Sequence, residues 1–308
     1  MLGRLLHVAI LVSTVCLPKQ ATAACAVGSI SGISFTSTTL APYNPFVSFA
    51  PKLVTVTVTG SASCTVELSF FAPTIPARMT GAAVLNYDVQ VAGAAASLVS
   101  TGGNPLTSQP IMIAGPGIPG TATVQISVPP GQVVADGAYN DTNLVAQVFD
   151  KTGSIFTLLR AQTMPVSGTV AKVCQFTQPT TPTLNFTSAI ANGLPKPDHV
   201  RSLTFDGLSC TAPTIVRLSG NAMQPQQPVG ASPGFDSQIH YRASARFNAA
   251  STVLDTSEAS EASSTMRSTT MGATVNGSVS VEVNLLAGRP LVAGTYAATL
   301  TISVDPSP

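Results

Sequence analysis

The sequence has no tryptophan and only three histidines, and charged residues make up 9% of it, against roughly a quarter in ordinary soluble domains. With 14 Lys and Arg set against 13 Asp and Glu, the formal net charge is +1. No basic stripe exists that could track a phosphate backbone, so nucleic acid is not expected as a partner. No hydrophobic run reaches the ~20 residues that a bilayer-spanning helix needs. No cysteine pair has CxxC spacing, and His199 and His240 are isolated, so no metal set can be written. Neither histidine lies in a GxSxG-like, HExxH or paired-carboxylate context. Glu258 and Glu261 sit in a Ser-Ala stretch that reads as a solvated loop over 255–266, and Asp206 before Gly207 reads as a turn residue. The expectation is a protein that is not an enzyme and carries no cofactor.

What is present starts with an export signal. Arg4 precedes the apolar run 5–15, and Ala21 and Ala23 supply a small-x-small pattern, so residues 1–23 read as a signal peptide cleaved after Ala23. Lipidation would want a leucine three residues before the modified cysteine, but Thr22 stands there before Cys25 and Ser13 before Cys16. The mature chain of about 285 residues is long enough for two hydrophobic cores. Four cysteines remain outside the leader, Cys25, Cys64, Cys174 and Cys210, and an even count in an exported chain reads as disulfides. Of the three possible pairings, the near-equal spacings of 39 and 36 residues favour Cys25 with Cys64 and Cys174 with Cys210, one pair opening each half.

The halves share more than cysteines. The segment 120–128, Gly-Thr-Ala-Thr-Val-Gln-Ile-Ser-Val, aligns without a gap on 277–285, Gly-Ser-Val-Ser-Val-Glu-Val-Asn-Leu, at a constant offset of 157 positions. The same offset puts Gly131 on Gly288, Gly137 on Gly294 and Tyr139 on Tyr296, which reads as a duplicated domain with its boundary near Ser167 and Gly168. Apolar and polar residues alternate strictly. Val54, Val56 and Val58 share a parity that continues through Cys64, Val66, Leu68 and Phe70, and Tyr296, Ala298, Leu300, Ile302 and Val304 form one face of a closing strand. With 24 Gly and 24 Pro punctuating the chain, the expected class is all-β, two tandem sandwiches. In the first copy, a bulge near Asn143 would turn Leu144, Ala146 and Val148 inward and restore register with the second.

These residues resemble a known family. Each half has an opening cysteine, a second cysteine in a Ser-Cys-Thr context (Cys64, Cys210), a mid-domain aromatic strand and a closing Gly-x-Tyr strand. The chain is similar here to the spore coat U domain, whose Arg-Met and Leu-x-Tyr pattern is matched by Arg78, Met79, Leu85 and Tyr87. Its closing Ala-Gly-x-Tyr-x-Asp is matched in part at 136–141 and again at 293–298, where Ala298 replaces the aspartate. The second copy lacks an Arg-Met pair and has only Ile239-His240-Tyr241-Arg242-Ala243 at its aromatic strand. Two-domain members of the family look like tip subunits of archaic, Csu-type chaperone-usher pili. The resemblance implies immunoglobulin-like sandwiches, the C-terminal one lacking its last strand and completed by donor strand complementation. A periplasmic pilus chaperone would fill that groove first, and the next pilin subunit, at the outer-membrane usher, would fill it afterwards. Tyr296, Leu300, Ile302 and Val304 would belong to the acceptor face. Cleavage after Ala23 would leave only Ala24 before Cys25, too little for a donor arm, which suits a terminal subunit.

On this reading residues 24–168 form the adhesin domain and 169–308 the pilin domain of a secreted fimbria that attaches cells to hydrophobic or host surfaces and supports biofilm. Three proline-stiffened apolar stretches are candidate contact loops: 40–49 with Tyr43 and Phe46, 71–77 with Ile75, and 111–120 with Ile113, Pro116, Ile118 and Pro119. In the third, Gly-Pro-Gly-Ile-Pro-Gly cannot be a regular strand. Two rival readings are a structural pilin or coat subunit without its own ligand site, and a saccharide-binding lectin tip using Tyr43, Asn44 and Tyr87.

Overall fold

The computed structural model describes residues 24–177, 181–228, 230, 232–247, 250–258, 263–267 and 273–307. The expected leader, Cys16 and Glu261 lie outside the described residues. Strands are the regular structure throughout, broken only by a single 3-10 turn at Thr187–Ala189 among the described residues. The chain is all-β, as its alternation requires.

The first half runs through β1 (Ile30–Phe35), β2 (Lys52–Gly60), β3 (Cys64–Phe71), β4 (Ala77–Thr80), β5 (Val84–Val91) and β6 (Val99–Ser100). It continues with β7 (Gln109–Ile113), β8 (Gly120–Ser127), β9 (Gly137–Asp141), β10 (Val145–Thr152), β11 (Ile155–Thr163) and β12 (Val166–Val170). One sheet has the order β1-β2-β8-β5-β4-β9-β12; the facing sheet has β11-β10-β3-β6, with β7 also on β3. Val54, Val56, Val58, Cys64, Val66, Leu68 and Phe70 all face the core between these sheets, as their shared parity predicts. The register change also falls where expected. Asn143 N–H donates to Asp141 Oδ1 at 2.7 Å in the break between β9 and β10, and Leu144, Ala146 and Val148 are fully buried beyond it.

The second half begins with β13 (Cys174–Phe176), the short β14 (Ile190–Ala191) and β15 (Leu194–Pro195), then β16 (Val200–Cys210), β17 (Thr214–Gly220) and β18 (Gln224–Pro225). It continues with β19 (Tyr241–Phe247), β20 (Ala250–Asp255), β21 (Ser263–Arg267), β22 (Thr274–Leu285), β23 (Tyr296–Ala297) and β24 (Leu300–Pro306). Its larger sheet is β13-β16-β22-β19-β20 and the opposing one β21-β17-β24. Two local expectations are corrected. Asp206 and Gly207 form a bulge inside β16, where the register with β22 slips between Phe205 and Leu208 and Gly207 adopts φ 78°, rather than a turn. The stretch read as a loop over 255–266 overlaps β21, which pairs with β17 and covers an edge that would otherwise be bare.

The repeated segments hold equivalent places. β8 lies between β2 and β5, and β22 lies between β16 and β19. Tyr139 Oη donates to Ala135 O at 2.6 Å, and Tyr296 Oη donates to Val292 O at 2.7 Å, the same bond moved by the repeat offset. The disulfides are Cys25–Cys64 and Cys174–Cys210. One core gathers buried residues between Cys25 and Val170, the other between Ala189 and Leu285. β12 carries the first sheet as far as Val170, two residues past the expected changeover.

Candidate functional site

The two cores differ in how they are closed. In the first half β10 pairs with β3 on one side and with β11 on the other, Val145 opposite Thr163 and Thr152 opposite Ile155. The chain then passes the buried Met164 into β12, which pairs with β9 and places Val166 and Val170 in the core. β24 takes the place of β10 in the second half. It pairs antiparallel with β17, Leu218 opposite Ile302 and Val216 opposite Val304, and no described strand lies on its other edge.

A groove of about 1230 Å³ opens along that edge. Its floor is the inner face of the larger sheet, including Leu203, Phe205, Tyr241, Val281, Val283 and Leu285, and its rim includes Met223, Leu291, Tyr296, Leu300 and Ile302. Tyr296, Leu300, Ile302 and Val304 pack against the second core yet stay only half-buried, as do Phe176, Leu184, Phe186 and Phe205. Alternate residues of an extended segment laid here would meet a row of apolar side chains while its backbone met the free N–H and C=O groups of β24. Five buried apolar side chains would each contribute about 1.5–3 kcal/mol before the entropy of ordering.

Register also locates the candidate contact loops. Cys64 pairs with Ile113, Val58 with Gly120, Ile30 with Gly60 and Thr152 with Ile155. The 25–29 segment, the 114–119 turn and the β10–β11 hairpin therefore share one end. The chain leaves the first half at the opposite end, where Val170 pairs with Gly137. Ile118 N–H donates to Gly115 O at 3.1 Å, closing a turn in which Gly117 takes φ 75°, a value that proline followed by glycine suits. Pro116, Ile118 and Pro119 are exposed on it.

Four of the expected contact residues are not exposed on this turn. Ile113 is fully buried because 109–113 is a strand, not a loop, and its alternation turns Ile111 and Ile113 inward and Met112 outward. Tyr43 is buried too, its Oη donating to Pro129 O at 2.9 Å and accepting from Gln132 N–H at 3.0 Å. Phe46 is half-buried near the exit end, where Pro45 O accepts from Gly131 N–H. Ile75 is exposed, but it follows the Phe71 end of β3, away from the Ile118 turn. The lectin set fails on the same grounds, since Tyr87 is buried with its Oη donating to Asp141 Oδ2 at 2.6 Å.

Sequence reasoning missed Val27, Met112 and Ile155, each more than half exposed at the end that carries Ile118. Their signals were faint: one apolar residue beside a cysteine, one out of phase in a strand, one just after a hairpin glycine. Charge is sparse among them. Asp150 Oδ1 is engaged by Cys25 N–H at 2.8 Å, and Lys151 Nζ lies 5.2 Å from the centre of the Phe156 ring.

No protein-family model matches the chain, and no curated protein matches its sequence. Among solved structures, a chain of the CsuC–CsuE chaperone–tip adhesion subunit pre-assembly complex, from the archaic chaperone-usher Csu pili of Acinetobacter baumannii, is 14% identical with a TM-score of 0.42, and the match covers 89% of this chain and 100% of that one. The CupB6 tip adhesin of Pseudomonas aeruginosa is 11% identical with a TM-score of 0.34, covering 90% and 97%. CfaE, the adhesive subunit of CFA/I fimbria of enterotoxigenic Escherichia coli, is 9% identical with a TM-score of 0.34, covering 89% and 94%. Likenesses at this depth carry no argument about ligand or assembly.

Proposed function

We propose that this chain is an exported, spore coat U-like tip adhesin of a chaperone-usher pilus. In this reading its second half, 169–308, is a pilin unit completed by another chain's strand, and its first half, 24–168, is the binding unit. The observation that carries the reading is the contrast between two copies of one fold. The outer edge of β10 is paired with β11 and that of β9 with β12, both from the same chain, while the outer edge of β24 borders an apolar groove that no described residue fills. Such an edge invites uncontrolled pairing, so a dedicated periplasmic chaperone, and then a neighbouring subunit at the outer-membrane usher, are the partners that suit it.

The binding end in this reading is the one bearing Val27, Met112, Ile118 and Ile155, four apolar side chains held out by a disulfide-anchored segment, a strand end, a proline turn and a hairpin. With little charge around them, they suit an apolar surface, of the kind on which attachment and biofilm begin, better than a charged glycan. Replacing Ile118 and Ile155 together by Asp is expected to reduce retention of the mature protein on polystyrene at least tenfold while leaving thermal unfolding unchanged. Unchanged retention would remove this end as the contact surface.

A further inference from the structure

Tyr241 and Tyr87 occupy the same place in the two copies. Tyr241 pairs with Leu285, and Tyr87 lies one step along the ladder from the Asp88–Ser127 pair, beside Val128, which is the repeat partner of Leu285. In the first copy the Tyr87 hydroxyl donates to Asp141. The repeat partner of Asp141 is Ala298, which has nothing to offer. Tyr241 is 2% exposed and its Oη has no hydrogen-bond partner among the described residues. It sits against Gly220, where any Cβ would collide with it, and beside Leu300, the residue that pairs with Gly220. Both Tyr241 and Ala298 line the open groove. A buried hydroxyl without a partner is destabilising, and native cores seldom keep one.

Resting on the strand-acceptor reading, we infer that the groove selects an incoming strand bearing a hydrogen-bond acceptor, such as the side chain of Thr, Ser or Asn, at the position that faces Ala298. There it accepts a hydrogen bond from Tyr241 Oη and does for the second copy what Asp141 does for the first. The first copy shows which position this is. Val166 lies directly across the ladder from Asp141, on the same inward face. An apolar residue suffices there because Asp141 already satisfies Tyr87. Across from Ala298 the same apolar residue leaves the hydroxyl bare.

The test uses the mature chain with the sequence of residues 155–170 appended after Pro308 through a Gly-Ser linker, so that a copy of the first half's own closing strands can enter the groove. In the appended copy Val166 is kept or changed to Thr, which has nearly the same shape. The expected result is that both extensions raise the melting temperature of the second half and that Thr raises it by about 4 °C more than Val. That advantage should vanish in Tyr241→Phe, and also in Ala298→Asp, which supplies the acceptor from within the chain. If neither extension stabilises the chain, the strand-acceptor reading itself fails. If Val and Thr stabilise equally, or the Thr advantage survives both Tyr241→Phe and Ala298→Asp, the groove does not read polarity at this position and the inference is overturned.

Discussion

Tyr87 shows what a single polar contact does inside a nearly uncharged core. Its hydroxyl and the Asp141 carboxylate are both buried, and Asp141 also accepts from Asn143 N–H, so one carboxylate satisfies a side chain and fixes the break between β9 and β10. Asp141→Ala is expected to destabilise the first half by about 1–3 kcal/mol, because the buried tyrosine hydroxyl loses its partner without gaining water; urea unfolding of the mature chain measures this. Burial also holds the phenols of Tyr43, Tyr87 and Tyr241 above the ordinary value of 10.0, with the Asp141 carboxylate adding to the effect at Tyr87. The unfolded chain releases those protons near the ordinary value and the folded chain does not. The contribution is therefore fully present below about pH 10 and is lost as pH rises through and above it. Phenolate absorbance from these three residues should appear together with unfolding in an alkaline titration, and their ionisation in a still-folded protein would contradict this.

At the scale of elements, the disulfides close loops of 39 and 36 residues at matching places in the two copies. On loop entropy alone each contributes about 4 kcal/mol. Replacing Cys174 and Cys210 by Ser should therefore lower the denaturation midpoint of the second half much more than that of the first, which retains its own bond and a fully closed core. Equal loss in both halves, read by chemical denaturation with probes in each, would show that the halves do not unfold as separate units. Strand identity was legible in the sequence because side-chain alternation is a local property, and β8 and the Val54–Val58 stretch of β2 follow it residue by residue. The register change at Asn143 was legible because two aligned copies with opposite parity cannot both be straight. Ile113 was misplaced for a related reason: proline and glycine at 115–120 mark a turn, but they do not say how far back the preceding strand reaches. Tyr43 and Phe46 look like loop residues in sequence, and only the packing of 40–46 against β12 and the 129–132 turn shows where they go. Ile118 was legible as an exposed turn residue, but its grouping with Val27, Met112 and Ile155 was not, because the four come together only through long-range pairing.

For the whole molecule, the central claim is that one half is finished by its own chain and the other is finished by another. β11 and β12 cover in the first half what stays open beside β24 in the second, although the two copies share their central strands, their disulfide and their tyrosine bond. An extended partner along β24 would bury the apolar row from Tyr296 to Val304 and satisfy the outward backbone groups of that strand. The most direct test is hydrogen exchange on the mature chain, alone and carrying an appended closing strand. Amides of β24 pointing away from β17 should exchange rapidly in the chain alone and become strongly protected when the strand is present, while those of β10 are protected in both. Equal protection of the outer β24 amides in the two forms would contradict the central claim.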